Sequence, residues 1–422
     1  MSDPVSTPAR LRDDPDWRRF LGARLVSLAG TAVTYIALPV VMYDLSDRSP
    51  LLTSLVAAFE ALPYLLLGLP AGALADRFDR KRVMVVADVV NAVVLASIPV
   101  ASWFGVLTVP HLLAAAFVVP ALFVFFDAAD FGAVPTLVGR ARIAAANSIM
   151  WSASTVLETS VPLLAGALLA FVDGASLIAV DSLSYLASAL LIRSVARPLS
   201  DPDRRPTAPL SRRALVADVR EGLHFLWGHA TVRSMTVVGA TQSIAGGAFM
   251  GQMVVWADRS LDVQEGDWEL GVLFAAWGVG VFVTSLVTPV AVRRLGAARV
   301  TLLALPASAL LSVGTALSGS WQVGSVMLLG WGVAYMGVVI NAITYRQQVT
   351  PEPLMSRVNT TGRMLSFGLG WPLGSVLGGV VAHWAGPRAG MLAGAAVLVV
   401  GVAVGWLSPL RREGVRPATV TV

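Results

Sequence analysis

Carboxylates set inside otherwise apolar stretches are the residues of this chain best suited to chemistry. Glu60, Asp127, Asp130, Glu158 and Asp181 each interrupt a hydrophobic run. Burial favours the protonated form of a carboxylate and a nearby arginine favours the ionised form, so an acid that exchanges one surrounding for the other can load and release a proton. Ionisable residues within a membrane span are costly and are candidates for function by default. Glu158 falls mid-stretch and Glu60 somewhat to the outer side of the midplane, which makes these two the favoured proton carriers. The alternative for each is a structural ion pair or a residue that wets an internal lumen. Asp127 and Asp130 lie one helical turn apart and can pair with Arg24, Arg140 or Arg142 as a gate near one face. Asp127, the deeper by register, joins the proton-coupling set, while a solvated interfacial pair is the alternative for Asp130. Asp181 reads as helix-end packing rather than coupling.

The elements that must hold these acids follow from composition. The chain has 422 residues, 56% of them hydrophobic and only 14% charged, against roughly a quarter charged in soluble domains. The mean hydropathy is +0.72. Most of the chain is therefore expected to avoid water. No cysteine is present and four histidines are scattered without ligand spacing, so neither metal nor cofactor is expected. No nucleotide-binding loop occurs, which argues against an ATP-driven pump. The net charge of +5 fits loops facing anionic lipid, and no nucleic-acid partner is expected.

A helix needs about 20 apolar residues to cross the hydrocarbon core. Twelve stretches qualify: 18–43, 51–75, 83–104, 110–131, 143–171, 175–195, 233–257, 269–291, 300–318, 322–345, 356–383 and 389–410. The first is longer than a signal-peptide core and follows a polar segment, so it reads as a retained span. Among the 31 basic residues, Arg48, Arg259 and Arg388 fall on one face and Arg24 and Arg363 within spans, leaving 26 on the other face. The positive-inside rule then places both termini in the cytoplasm of a bacterial inner membrane.

The organisation expected is a cytoplasmic tail (1–17), a six-helix bundle (18–195), a cytoplasmic linker (196–232), a second six-helix bundle (233–410) and a cytoplasmic tail (411–422). The linker opens with Pro198, Pro202, Pro206 and Pro209 and continues as an amphipathic helix over 212–228, expected to lie on the bilayer surface. The halves echo each other. Arg24 and Gly30 match Arg233 and Gly239, Arg77 and Arg82 match Arg294 and Arg299, and Asn147, Gly166 and Gly174 match Asn359, Gly378 and Gly386 at nearly one offset. Such parallel repeats suit alternating access around a midplane site.

Between the second and third spans runs Gly72-Ala-Leu-Ala-Asp76-Arg77-Phe-Asp79-Arg80-Lys81-Arg82. This resembles the signature loop of the major facilitator superfamily, with Asp79 in place of the usual second glycine. Ala37-Leu-Pro39, Glu60-Ala-Leu-Pro63, Gly68-Leu-Pro70-Ala-Gly72, Ala144-Ala-Ala-Asn147 and Asp181-Ser-Leu-Ser-Tyr185 resemble the twelve-span drug:proton antiporter branch, similar to macrolide and siderophore exporters. The resemblance implies an all-α membrane protein of 12 transmembrane helices in two pseudo-symmetric bundles. It implies a cytoplasmic gate motif of Gly72, Asp76, Arg77 and Arg80, to which the acid pair above adds Asp130 and Arg24. It places substrate contacts on spans one, four, seven and ten: Ser27, Thr31, Thr34 and Tyr35; then Gln242, Phe249 and Gln252; then Trp331, Tyr335, Asn341 and Tyr345. Such a mixed aromatic and uncharged polar wall suits an amphipathic organic compound. The branch's span-five motif is degenerate here, Val161-Pro162-Leu-Leu-Ala165-Gly166, and no arginine stands in 110–131.

The function expected is proton-driven export of a small drug-like or secondary-metabolite compound by a lipid-embedded monomer. A symporter or uniporter of the same fold is the competing reading, since fold does not settle direction. Two Asp-x-x-Asp pairs, Asp76/Asp79 and Asp127/Asp130, raise an intramembrane prenyl transferase, but the arginine-rich surroundings of the first would neutralise it. A non-transporting sensor lacks loops long enough for a receptor domain.

Overall fold

The computed structural model describes residues 11–75, 77–169, 171–200, 212–264, 266–351 and 354–413. Among these there is no strand. The first half consists of α1 (Pro15–Leu45), α2 (Pro50–Ala75), α3 (Arg80–Trp103), α4 (Val109–Val138), α5 (Ile143–Leu168) and α6 (Gly174–Ser194). The linker helix α7 (Arg212–Gly228) follows. The second half consists of α8 (Ala230–Leu261), α9 (Trp268–Leu295), α10 (Ala297–Ala316), α11 (Trp321–Val349), α12 (Met355–Arg363), α13 (Gly370–Ala385) and α14 (Pro387–Leu407), ending in the short α15 (Leu410–Glu413). A π-helical segment, Met364–Leu369, joins α12 to α13 into one interrupted span.

Ten helical stretches are long and apolar enough to cross a membrane. Helices α5 and α8, of 26 and 32 residues, complete two bundles of six. Local chemistry punctuates them. Asp14, Asp79 and Asp173 accept hydrogen bonds from first-turn amides of α1, α3 and α6, satisfying donors that a helix cannot pair internally. Gly296 and Gly386, at φ of 82° and 85°, each end one span and begin the next as one-residue turns, a conformation only glycine adopts cheaply.

The packing scheme repeats. In the first bundle α1 packs on α5 and α6, α3 on α4 and α6, and α2 on α4. In the second, α8 packs on α13 and α14, α10 on α11 and α14, and α9 on α11. The bundles meet through α2 against α13 and α5 against α9, the pairing a two-fold axis along the membrane normal produces.

The amphipathic helix α7 does not stand apart. Arg357 of α12 pairs with Asp218 at 2.8 Å and with Glu221, and Gly222 of α7 lies against the Arg357 carbonyl and the Thr361 hydroxyl. The charged face thus docks on the second bundle. At the chain start, Asp14 and Asp16 clasp Arg197 beyond α6, the latter at 3.1 Å, and Arg197 also donates to the Leu137 carbonyl. Partial burial raises the Asp14 carboxyl, but the Arg197 guanidinium and the Trp17 and Asp16 amides outweigh it, so the group titrates below the usual carboxylate range.

Candidate functional site: a central cavity closed at one face

A cavity of about 620 Å³ lies between the bundles and reaches from mid-protein toward the face that carries the chain ends. Its wall is built mainly from the first bundle. Span α1 contributes Arg24, Ser27, Thr31, Thr34 and Tyr35, α2 contributes Glu60 and Tyr64, and α4 contributes Phe123, Asp127 and Asp130. From the second bundle come Phe367 and Trp371. The π-helical turn places Phe367 there, 5.3 Å from the rings of both Tyr64 and Trp371. It also seats Gly368 directly on the Leu65 backbone, where a Cβ would come within 2.8 Å. Extra-residue turns of this kind recur at functional sites, and no hydropathy pattern announces them.

At the face opposite the chain ends the bundles are sealed. Tyr43 donates to Asp258 at 2.6 Å, Arg48 pairs with Asp258 at 3.6 Å, and Arg259 donates to the Arg48 carbonyl at 2.6 Å. Deeper in the seam the Ser54 hydroxyl donates to the Gly251 carbonyl at 3.0 Å, and Gln252 donates to the Pro50 carbonyl at 3.1 Å. Gly166 and Gly271 bring α5 and α9 into backbone contact, since a Cβ on Gly166 would lie 2.1 Å from the Gly271 Cα. The degenerate span-five motif therefore keeps the one small residue that this seam requires. With one face sealed and the cavity reaching the other, the protein is in a state open toward its chain ends.

The expected residues distribute unevenly. Glu60 sits at the cavity wall and makes no ion pair among the described residues. Asp127 faces the cavity, 4.0 Å from Arg363, which also lies 4.9 Å over the Tyr64 ring. Asp130, expected near the interface, is instead the buried member: 6% exposed and 3.4 Å from Arg24. Register depth misleads here because a three-residue step rotates the side chain toward α1. Asp181, expected to pack a helix end, is fully buried and borders the cavity, accepting from Thr34 at 2.6 Å and from Ser184 at 3.0 Å. The side chain of Glu158 and all of Asp76 lie outside the described residues, and Gly72 is described only as part of the α2 backbone. Arg77 ends the turn after α2, and Arg80 lies flat on Gly132 of α4, donating to its carbonyl at 2.9 Å.

Ser27, Thr31, Thr34 and Tyr35 line the cavity as the helical spacing suggests. The residues expected from spans seven and ten do not line it in this state. Gln242 accepts from Ser308, to which Trp331 also donates. Phe249 meets Trp331 edge-to-face and Trp277 at a tilt, and Tyr335 also packs at a tilt on Trp277. Gln252 belongs to the seam, Asn341 is 3% exposed, and Tyr345 packs beside His229. Polar residues at helical spacing serve bundle packing as well as a lumen, and sequence does not separate the two. The reading also missed Asp88 on α3, 1% exposed, and Arg346 on α11, 6% exposed and donating to Asn359. Asp88 was legible as an acid within an apolar run; Arg346 was hidden by its place at a span's end.

Residues 7–417 match the transmembrane secretion effector family. The multidrug efflux pump Tap of Mycolicibacterium fortuitum is 30% identical over 406 residues, 93% of this chain and 95% of the relative. An MFS-type transporter of Mycobacterium tuberculosis is 31% identical over 331 residues, 74% of this chain and 73% of the relative. Among solved structures, a bacterial homologue of the human lysosomal transporter Spinster, inward-facing and occupied, superposes with a TM-score of 0.73 at 15% identity, covering 96% of this chain and 98% of that one. The nucleoside transporter NupG gives 0.72 at 12% identity, covering 92% and 97%.

Proposed function

This chain belongs to the transmembrane secretion effector family of major facilitator transporters, and from that premise we propose that it exports an amphipathic, drug-like or secondary-metabolite compound in exchange for protons. The observation that carries the reading is Glu60: a carboxylate at the wall of an aromatic cavity, beside Tyr35 and Tyr64, with no arginine partner among the described residues. Such a group can hold either a proton or the positive nitrogen of a substrate, and competition for one carboxylate couples the two fluxes. The aromatic faces of Tyr35, Tyr64, Phe367 and Trp371 suit the apolar body of that substrate and its cation.

In the cycle, a proton enters from the outer face and neutralises the carboxylate. The bundles rock to the state described above and the proton leaves toward the chain-end face. Substrate then binds and drives the return. The preponderance of basic residues on the chain-end face supports its being cytoplasmic, so the protein acts as a monomer in the bacterial inner membrane with both ends inside. The relation to an efflux pump named for multiple drugs supports export over import.

The test uses inverted membrane vesicles holding the full-length protein, energised to be acid inside, with ethidium as the amphipathic cation. Uptake that collapses with the pH gradient and is lost in Glu60→Gln supports the proposal. Uptake unaffected by Glu60→Gln, or requiring a gradient of the opposite sign, overturns it.

A further inference from the structure

Behind the cavity wall, α1, α3 and α6 enclose a polar cluster that the transport cycle above does not use. Asp181, Ser184, Tyr185 and Ser188 follow one stripe of α6 at helical spacing. Thr34 and Ser184 donate to the Asp181 carboxylate, and the Thr31 and Tyr185 hydroxyls are hydrogen-bonded at 3.1 Å. A Cβ on Gly30 would fall 2.4 Å from Asp181 Oδ1 and 2.0 Å from Ser184 Oγ, so α1 keeps a glycine where the carboxylate sits. Ser188 stands beside Asp88 of α3, and Asn91 lies one turn further along that helix.

Among the described residues, Asp88 Oδ2 and Asn91 Oδ1 accept no hydrogen bond of good geometry, and the Ser188 hydroxyl beside Asp88 is a neutral donor. The three residues are 1%, 1% and 0% exposed. A buried acceptor left unpaired costs about 1–3 kcal/mol, and the first two are carboxylate and amide oxygens that can only accept. What Asp88 lacks, among the described residues, is a cation of its own. The charged and titratable groups facing it are Arg24 from α1 and Asp181 and Tyr185 from α6. Arg24 is engaged, 3.4 Å from Asp130 and 5.1 Å over the Phe126 ring. One proton on Asp88 neutralises its buried charge without moving any helix.

We propose that Asp88 is a buried proton-holding site, reached from the cavity through Asp181, and that it is a second carboxylate of the coupling machinery. The inference rests on the proton-coupled reading for its role in transport, though not for its chemistry. A proton from cavity water forms an O–H bond at Asp181. On transfer that bond breaks as one forms at Asp88 Oδ2, and Asp181 returns to the ionised form that Thr34 and Ser184 already hydrogen-bond. The Ser188 hydroxyl, one turn beyond Ser184 and beside Asp88, rotates to bridge the interval between the two carboxylates, and release reverses the step. Asp88 does not line the cavity, so it holds a proton where no substrate can displace it directly.

Two measurements test this on the full-length protein. In infrared difference spectra of the detergent-purified wild type, raising the pH should bleach a protonated-carboxyl band that shifts in heavy water and is missing from Asp88→Asn. Spectra of the two proteins with identical carboxyl bands overturn the assignment, whatever the protein transports. In proteoliposomes, Asp88→Asn should retain ethidium counterflow and lose pH-driven ethidium uptake, and Asp88→Glu should recover part of it. Full pH-driven uptake by Asp88→Asn overturns the coupling role. Replacing sodium by choline should leave wild-type uptake unchanged, and dependence on sodium would mean that a metal ion, not a proton, fills the site. If wild-type protein takes up no ethidium under a pH gradient, the transport reading fails, while the infrared result still decides where the proton sits.

Discussion

Removing the outer latch should open the sealed face by a calculable amount. Asp258 accepts from Tyr43 at 2.6 Å and pairs with Arg48 at 3.6 Å, both partners belonging to the other bundle. A hydrogen bond to a charged group contributes about 1.5–3 kcal/mol. The ion pair adds roughly 0–1 kcal/mol because Arg48 keeps 59% of its side-chain surface in solvent. Both are lost only from the sealed state, since in the opposite state these groups face water. Asp258→Ala should therefore shift the balance by about 2 kcal/mol, or some 30-fold. An outer-open state held at about 1% rises to roughly a fifth of the population. The chain has no cysteine, so spin labels at Asp44→Cys and Gln264→Cys, at exposed positions flanking the seam, report the change on a clean background. A new long-distance population in Asp258→Ala, smaller in Tyr43→Phe, is expected. A distance distribution indistinguishable from wild type would refute the reasoning that these bonds hold the seam.

Other parts of the structure make their own claims. Arg24→Ala leaves Asp130 buried without its cation and should destabilise the protein by about 3 kcal/mol, at the low end for a broken buried pair because Arg24 is 21% exposed; thermal unfolding in detergent measures it, and an unchanged midpoint contradicts the pairing. Gly166→Val cannot coexist with the Gly271 backbone contact, so it should disfavour the sealed state and raise labelling from the outer face. Asp14 titrates below its ordinary value of 3.8 in the folded protein, so its contribution is present above that pH and fades as acid carries the protein through the lowered value. Asp14→Asn should lower the unfolding midpoint at neutral pH, and the difference from wild type should vanish in stronger acid.

Much of this architecture is legible in the sequence because a membrane span declares itself by length and apolarity. The spans of 18–43 and 389–410, for instance, anticipate α1 and α14 to within a few residues. Arginine placement and the repeated glycines point to the two-bundle plan for the same reason. What remained hidden depends on rotation about a helix axis and on the state of the cycle. Asp127 and Asp130 reverse their expected depth of burial because one faces the lumen and the other α1. Gln252 and Phe249 belong to the closed seam and its core in this state rather than to a lumen. Asp88 stands in the apolar run 83–104 like the other span acids, and only the packing of α3 on α6 sets it apart. The π-turn at Phe367 escaped because backbone hydrogen-bond register leaves no mark on hydropathy.

The central claim is exchange of substrate for protons, and the most direct test lets substrate do the driving. Proteoliposomes of the purified protein are loaded with ethidium at uniform pH and diluted into ethidium-free buffer, with a pH dye inside. Efflux of the dye cation down its own gradient should draw protons inward and acidify the lumen, and Glu60→Gln should abolish the signal. Ethidium efflux through wild-type protein with no change of internal pH would contradict the account.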